Sequence, residues 1–319
     1  SGTAAIQIAL LASDVKPNEE VLVPALTFVG TANAVSHCGA IPHFVDSNID
    51  NFGLDVDKLE NYLKKNFIIK KKYLINKKTK RKVKAIIPVH IFGHACSIEA
   101  INNLAKSYNL KVVEDAAEGV GSFHNNKHLG TFSSFGCFSF NGNKIITTGG
   151  GGAIITDNLK KFELAKHLAT TAKIPHSFKY IHDRIGYNYR MPSINASLGC
   201  AQLIKLKKFL TAKRKLYKTY EKSFSNIEGV KIFKENKNNV SNYWLQTAIL
   251  DNNKMQYKEK LINYCISRNI YVRPSWTLLS KLKPYLSCPK MNLSGAINIE
   301  NRIINLPSSQ GLVLKNKEL

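Results

Sequence analysis

Along the first half of the chain, short apolar runs rich in Val and Ile alternate with longer stretches in which apolar residues return every three or four positions. The short runs at 21–23, 41–45, 84–89, 111–113, 137–140 and 153–156 predict strands. The longer stretches at 3–12, 27–37, 97–108 and 159–169 predict helices. Strands separated in this way by helices are what a sheet of parallel strands joined by crossovers requires. Near residue 195 the rhythm changes to a long Lys-rich amphipathic helix over 196–220, strands at 230–233 and 244–250, and a helix at 255–268. The pattern predicts a large α/β part, residues 1–200, followed by a smaller α+β part, residues 201–319.

Composition narrows the class. With 319 residues, 44% of them hydrophobic, the chain can bury a large core. No apolar run is long enough to span a bilayer, and no charged-then-apolar leader opens the sequence, which points to the cytoplasm and away from a membrane partner. Six cysteines are scattered without a C-x-x-C pair, so reduced thiols are expected, with neither disulfides nor a metal site. The net charge of +24 comes mostly from Lys in runs interleaved with Asn, such as Lys70-Lys71-Lys72. Without an aromatic-and-arginine pattern or a helix-turn-helix, this reads as a solvated surface rather than a nucleic-acid footprint, and it also suits attraction of a diphosphate-bearing substrate.

Three segments carry candidate chemistry. Between Phe135 and Gly152, a strand leads into a polar loop with Ser139 and Lys144 and then a glycine run. A lysine on a loop at a strand end can reach a cofactor and form a Schiff base, although taken alone it is one lysine among many. In Val112-Val113-Glu114-Asp115-Ala116-Ala117-Glu118, an apolar strand runs into acids. Asp115 at such a strand end can face the crevice where α/β sheets bind ligands, or it can simply cap a helix. Ser1-Gly2-Thr3 at a helix start offers free N–H groups to a phosphate, or an ordinary N-cap. Phe28, after Pro24-Ala-Leu-Thr27, can stack on a planar ring or sit in the core.

Taken in order, these segments resemble the DegT/DnrJ/EryC1/StrS family of sugar aminotransferases, within the fold-type I pyridoxal-phosphate enzymes. The resemblance runs through Ser1-Gly2-Thr3, Pro24–Phe28, Phe44-Val-Asp46, Pro88–Gly93, Glu114–Glu118, Phe138–Lys144 with Thr148–Gly152, and Ile185–Pro192. It implies a mixed, mostly parallel sheet flanked by helices, with pyridoxal 5'-phosphate bound as a Schiff base to Lys144. It implies that Asp115 keeps the pyridine nitrogen protonated, that Gly2, Thr3 and Ser139 bind the phosphate, and that Phe28 stacks on the ring. It also places Asn188, in Gly186-Tyr-Asn-Tyr-Arg190, at the phosphate of the neighbouring subunit's cofactor, so a homodimer with shared active sites is expected.

Three residues after Asp115 many members carry Gln or His, whereas this chain has Glu118, which would lie near the cofactor's ring oxygen or the transferred nitrogen. With the basic insertion before Val83, this resembles the branch that aminates UDP-2-acetamido-2,6-dideoxy-4-hexulose on the way to bacillosamine and legionaminic acid. The expected reaction moves the amino group of glutamate to the C4 ketone of such a sugar, for bacterial surface glycans or glycoproteins. A GDP- or dTDP-linked keto sugar is the near alternative, and a non-catalytic regulator that keeps the fold is the distant one. Arg273 suits a glutamate carboxylate, a diphosphate or plain solvent, and His90 and His94 suit the core better than a metal. Because the chain opens inside a loop-to-helix turn, a preceding segment is expected to belong to the protein.

Overall fold

The computed structural model describes residues 1–314. The chain opens with α1 (Gly2–Ala12), followed by β1 (Glu20–Pro24), α2 (Val29–His37), β2 (Ile41–Val45) and α3 (Val56–Asn66). A hairpin of β3 (Phe67–Lys70) and β4 (Tyr73–Asn76) leads to β5 (Lys82–Ile86), α4 (Ile98–Ser107) and β6 (Lys111–Asp115). Two short strands, β7 (Phe123–His124) and β8 (Lys127–His128), precede β9 (Phe135–Ser139), β10 (Gly152–Ile155) and α5 (Leu159–Ala169).

The central sheet has the order β10-β9-β6-β5-β1-β2, parallel throughout except for β10 against β9. Its strands sit deep because helices cover it. All five residues of β1 and of β9 are buried, which is why Val21–Val23 and Cys137–Phe138 run apolar on both faces rather than alternating. The expected strand over 84–89 ends earlier, at Ile86, and Val89 returns only as an isolated bridge to Asp115. Pro88 has no N–H to donate to a ladder, which is the physical reason.

Two elements lie outside the predicted pattern. Helix α3 begins at Asp55, whose side chain accepts from the Lys58 N–H at 3.0 Å, and it buries Leu59 and Leu63 at a spacing of four. The Lys-rich stretch after it is ordered rather than a featureless insertion: β3 and β4 extend the sheet antiparallel from the start of β5. Glu20 anchors this addition from within β1. Its carboxylate meets the buried His43 Nδ1 at 2.8 Å and Asn76 Nδ2 at 2.9 Å, and the half-buried Thr79 hydroxyl.

After a small hairpin of β11 (Lys173–Ile174) and β12 (Ile181–His182), the 32-residue helix α6 (Ser193–Phe224) runs through position 200 into the C-terminal elements. There β13 (Val230–Ile232), β15 (Gln246–Leu250), β17 (Ile303–Leu306) and β16 (Arg273–Pro274) form an antiparallel sheet in that order. The intervening β14 (Asn239–Val240) pairs with β7 instead. Helices α7 (Lys258–Ile266) and α8 (Ser294–Arg302) complete this part. Phe209, Phe233, Trp244 and Ile249 join the apolar core of the first part, so the two share one continuous interior. Asp46, at the end of β2, ties them further. It accepts the N–H groups of Gly295 (3.0 Å) and Ala296 (2.7 Å) at the start of α8, and the Lys58 ammonium at 2.8 Å.

Candidate active site

The carboxyl ends of β1, β6 and β9 converge with the start of α1 on a cavity of about 510 Å³. This is where ligands bind in open α/β sheets, because loops leaving strands in the same direction enclose a crevice. Gly2 and Thr3 come from the first turn of α1, Phe28 from the start of α2, Asp115 and Glu118 from the end of β6, and Ser139 and Lys144 from the loop after β9.

One edge is a cup of small groups. A Cβ added to Gly2 would stand 2.8 Å from the Ser139 Cβ, so nothing larger than glycine fits without displacing that serine. Ser1 already satisfies one N-terminal donor of α1 by accepting the Ala4 N–H at 3.2 Å. Gly2 and Thr3 sit where the remaining donors and the helix dipole favour an anion.

The carboxylates alternate along their segment. Glu114 points away from the cavity, where it meets His90 Nε2 at 2.8 Å and the N–H groups of Gly130 and of Phe132 (3.1 Å). Asp115 faces inward, accepting the Thr31 hydroxyl at 2.8 Å and the Ala117 N–H at 3.1 Å. Burial raises its pKa, only partly offset by Thr31, Ala117 and the nearby Lys144. Glu118 accepts the Phe92 N–H at 2.8 Å and lies 3.2 Å from Lys144 Nζ. Burial raises this pKa too; Lys144 opposes the rise and the neighbouring Asp115 adds to it. The donor to Glu118 comes from a strained position, since Phe92 adopts φ +58°, a left-handed conformation rare for a side chain of that size.

Lys144 Nζ also stands 3.9 Å from the centre of the Trp244 ring, whose indole N–H is tied to the Asn143 carbonyl at 2.7 Å. Trp244 and Thr31 were not singled out from the sequence. Thr31 follows Thr27 by one helical turn at 3.2 Å, a spacing that could have flagged it. Trp244 is a hundred positions from Lys144 and gave no local sign.

The other named residues lie elsewhere. Asn188 is exposed on the 185–192 segment, bridged to Thr170, and does not line this chain's own cavity. Arg273 lies at the cavity wall, exposed and without an acidic partner among the described residues. His90 is wholly buried between Glu114 and the Cys96 N–H. His94 packs edge-on against Phe233 and Tyr243, and burial, aided by the Arg214 charge, lowers its pKa to about 3. No group of three His, Cys, Asp or Glu among the described residues could hold a metal ion.

A lysine and a buried carboxylate converging beside a helix-start anion cup are the features by which a phosphorylated pyridine aldehyde is held, and the residues present fit that group. The chain is a fold-type I, pyridoxal-phosphate-dependent aminotransferase. More particularly, it belongs to the DegT/DnrJ/EryC1/StrS aminotransferase family, whose model matches residues 1–318. It is 36% identical over 312 residues to a GDP-perosamine synthase of Escherichia coli O157:H7, covering 98% of this chain and 80% of that protein. A GDP-perosamine synthase of Caulobacter vibrioides is 33% identical over 316 residues, again covering 98% and 80%. Among solved structures, a DegT/DnrJ/EryC1/StrS aminotransferase from Brucella abortus superimposes with a TM-score of 0.87 at 26% identity, covering 99% of this chain and 81% of that one.

Proposed function

We propose that the chain transfers the amino group of glutamate to the ketone of a nucleotide-linked 4-keto-6-deoxy sugar. The observation that carries this reading is the meeting of Lys144, Asp115, Glu118 and the Gly2–Ser139 cup in one cavity. When bound, the cofactor supplies a ring that withdraws electrons from the carbon losing its proton. Lys144 Nζ, on the cavity wall, takes that proton from the donor's α-carbon in the first half of the cycle and delivers one to the sugar C4 in the second. Asp115, held by Thr31 and Ala117, provides the buried negative charge that keeps a pyridine nitrogen protonated. Glu118, 3.2 Å from Lys144 Nζ, orients that amine.

Glu118 in place of Gln or His favours UDP-2-acetamido-2,6-dideoxy-4-hexulose as the acceptor. A GDP-linked keto sugar is the second reading, because three relatives, each matched over 80% of its length, are named GDP-perosamine synthases. We further propose a homodimer working in the cytoplasm, in which Asn188 of the partner subunit completes each site. Ile185 and Ile194, which flank that asparagine at 86% and 80% exposure, support an apolar contact there. No helix among the described residues is long and apolar enough to cross a membrane.

The test is an absorbance spectrum of the cofactor-loaded protein with glutamate, followed by addition of the UDP- and GDP-linked keto sugars. A visible band that bleaches with glutamate and returns with one sugar supports the reading and selects the acceptor. A band indifferent to glutamate sinks it.

A further inference from the structure

We infer that Lys213, whose ammonium is buried outside the cavity, is a positioning residue for the reaction because it holds Trp244 in place over Lys144. The inference rests on the reading of Lys144 as the reactive amine, and it adds a residue that this reading does not use.

Lys213 lies on α6, only 5% exposed, with no carboxylate partner among the described residues. Its Nζ donates instead to two main-chain carbonyls, that of Trp244 at 2.9 Å and that of Ser308. Lys82 and Lys84, also largely covered, each meet an acid, Glu19 at 2.9 Å and Asp14 at 3.2 Å. An ammonium buried without a counter-charge is unfavourable, and burial lowers the Lys213 pKa to about 8. An apolar side chain of similar length would fill the same space on a helix without that desolvation. What the ammonium grips shows what the charge is for.

The grip is one step from the reacting amine. Trp244 is fixed by its carbonyl to Lys213, by its backbone N–H to Asn242 Oδ1 at 2.8 Å, and by its indole N–H to the Asn143 carbonyl at 2.7 Å. Its ring centre stands 3.9 Å from Lys144 Nζ, and Asn143 directly precedes that lysine, so one indole both covers the amine and holds the loop that carries it. Gln246 strengthens the same knot, donating its side-chain amide to the Lys213 carbonyl at 3.1 Å and its backbone N–H to Ser308 Oγ at 2.7 Å. Lys213 therefore joins α6, the approach to β15 and the turn after β17. Without it, two carbonyls lose their donor inside the protein, and either water enters or the segment moves to satisfy them. Both changes shift the ring whose face favours Lys144 as a cation.

Trp244 and Trp276 are the only tryptophans, so in a Trp276→Phe background the fluorescence of cofactor-free protein reports Trp244 alone. Lys213→Met, which donates nothing, and Lys213→Gln, which is shorter and uncharged, are compared in that background after thermal unfolding has shown that each is folded. Acrylamide is expected to quench Trp244 about threefold more readily in both variants, because the segment is no longer pinned. With Trp276 intact and pyridoxal phosphate loaded, the rate at which saturating glutamate bleaches the visible band should fall about tenfold, while the glutamate concentration giving half that rate changes little. The loss should be absent when Lys213→Met is added to Trp244→Ala, since Lys213 acts through that ring. Unchanged quenching overturns the inference, as does a bleaching rate that the variants leave at the wild-type value. Losses that add in the double variant overturn it too, by showing that Lys213 acts by another route. A wild-type band indifferent to glutamate sinks the reading of Lys144 itself, and with it the link from Lys213 to the reaction.

Discussion

Lys144 Nζ lies 3.2 Å from the Glu118 carboxylate, and a second buried acid, Asp115, faces the same cavity. Each carboxylate is held above its ordinary pKa by burial, and Lys144 opposes that rise at both. The lysine is therefore a structural counter-charge as well as the candidate reactive amine.

Replacing it tests both roles. Lys144→Ala is expected to show no visible absorbance band with pyridoxal phosphate. It should also be less stable than wild type at pH 7 by about 1–3 kcal/mol, since two buried acids lose their nearest cation. The gap should narrow as pH falls and the acids are protonated. Denaturant unfolding at pH 7 and pH 4.5 measures it, and a constant gap would contradict the coupling.

Asp115→Asn follows the same logic with the opposite sign. A carboxyl whose folded pKa lies above its unfolded value contributes stability below the unfolded pKa, roughly 3.9, and that contribution is lost as pH rises through the folded value. Without cofactor at neutral pH the ionised Asp115 is thus a burden, so Asp115→Asn should melt at the same or a higher temperature than wild type, with the advantage fading toward pH 4. Its affinity for pyridoxal phosphate should nonetheless fall by about tenfold or more, because a charge-assisted bond to the ring nitrogen is lost. Melting curves and cofactor titration check the two halves separately.

The anion cup is tested by Gly2→Ala. The added carbon meets Ser139 at 2.8 Å, so the first turn of α1 or the Ser139 loop must shift. Affinity for pyridoxal phosphate should drop by about tenfold, while affinity for pyridoxal, which lacks the phosphate, should change little. Equal losses for both ligands would show that the substitution disturbs the whole cavity.

Away from the site, Glu20 organises the added hairpin. Its bonds from His43, Asn76 and Thr79 outweigh the cost of burial and lower its pKa. A lowered folded pKa contributes stability above the unfolded value, about 4.3, and the contribution is lost as pH falls through the folded value. Glu20→Ala should cost roughly 3–5 kcal/mol at pH 7, since His43, Asn76 and Thr79 lose their shared acceptor, and less at pH 3.5. Unfolding titrations at the two pH values give the comparison.

Much of the fold was legible along the chain. Buried strands wrote themselves as Val- and Ile-rich runs, and α5 matches the predicted 159–169 span at both ends. Helix α3 was equally legible, through Asp55 and the Leu59, Leu63 spacing, but went unread because lysines crowd its exposed face. The hairpin of β3 and β4 was hidden for a related reason. Ile68 and Ile69 are exposed, so its apolar residues do not follow a simple inward pattern, and it is held by Glu20 from a distant strand.

By itself the sequence determined the alternation of strands and helices, the family, the loop position of Lys144 and the strand-end position of Asp115, because local periodicity and short motifs are written in neighbouring residues. Only the tertiary structure decided that Glu114 turns away while Asp115 and Glu118 turn inward, that Trp244 covers Lys144, and that Arg273 stands at the cavity wall without an acidic partner among the described residues. Those relationships join residues up to 129 positions apart, as in the step from Lys144 to Arg273 (273 − 144 = 129). Burial, charge pairing and the crossing of chain segments set them, and none of these is a property of a local stretch of sequence.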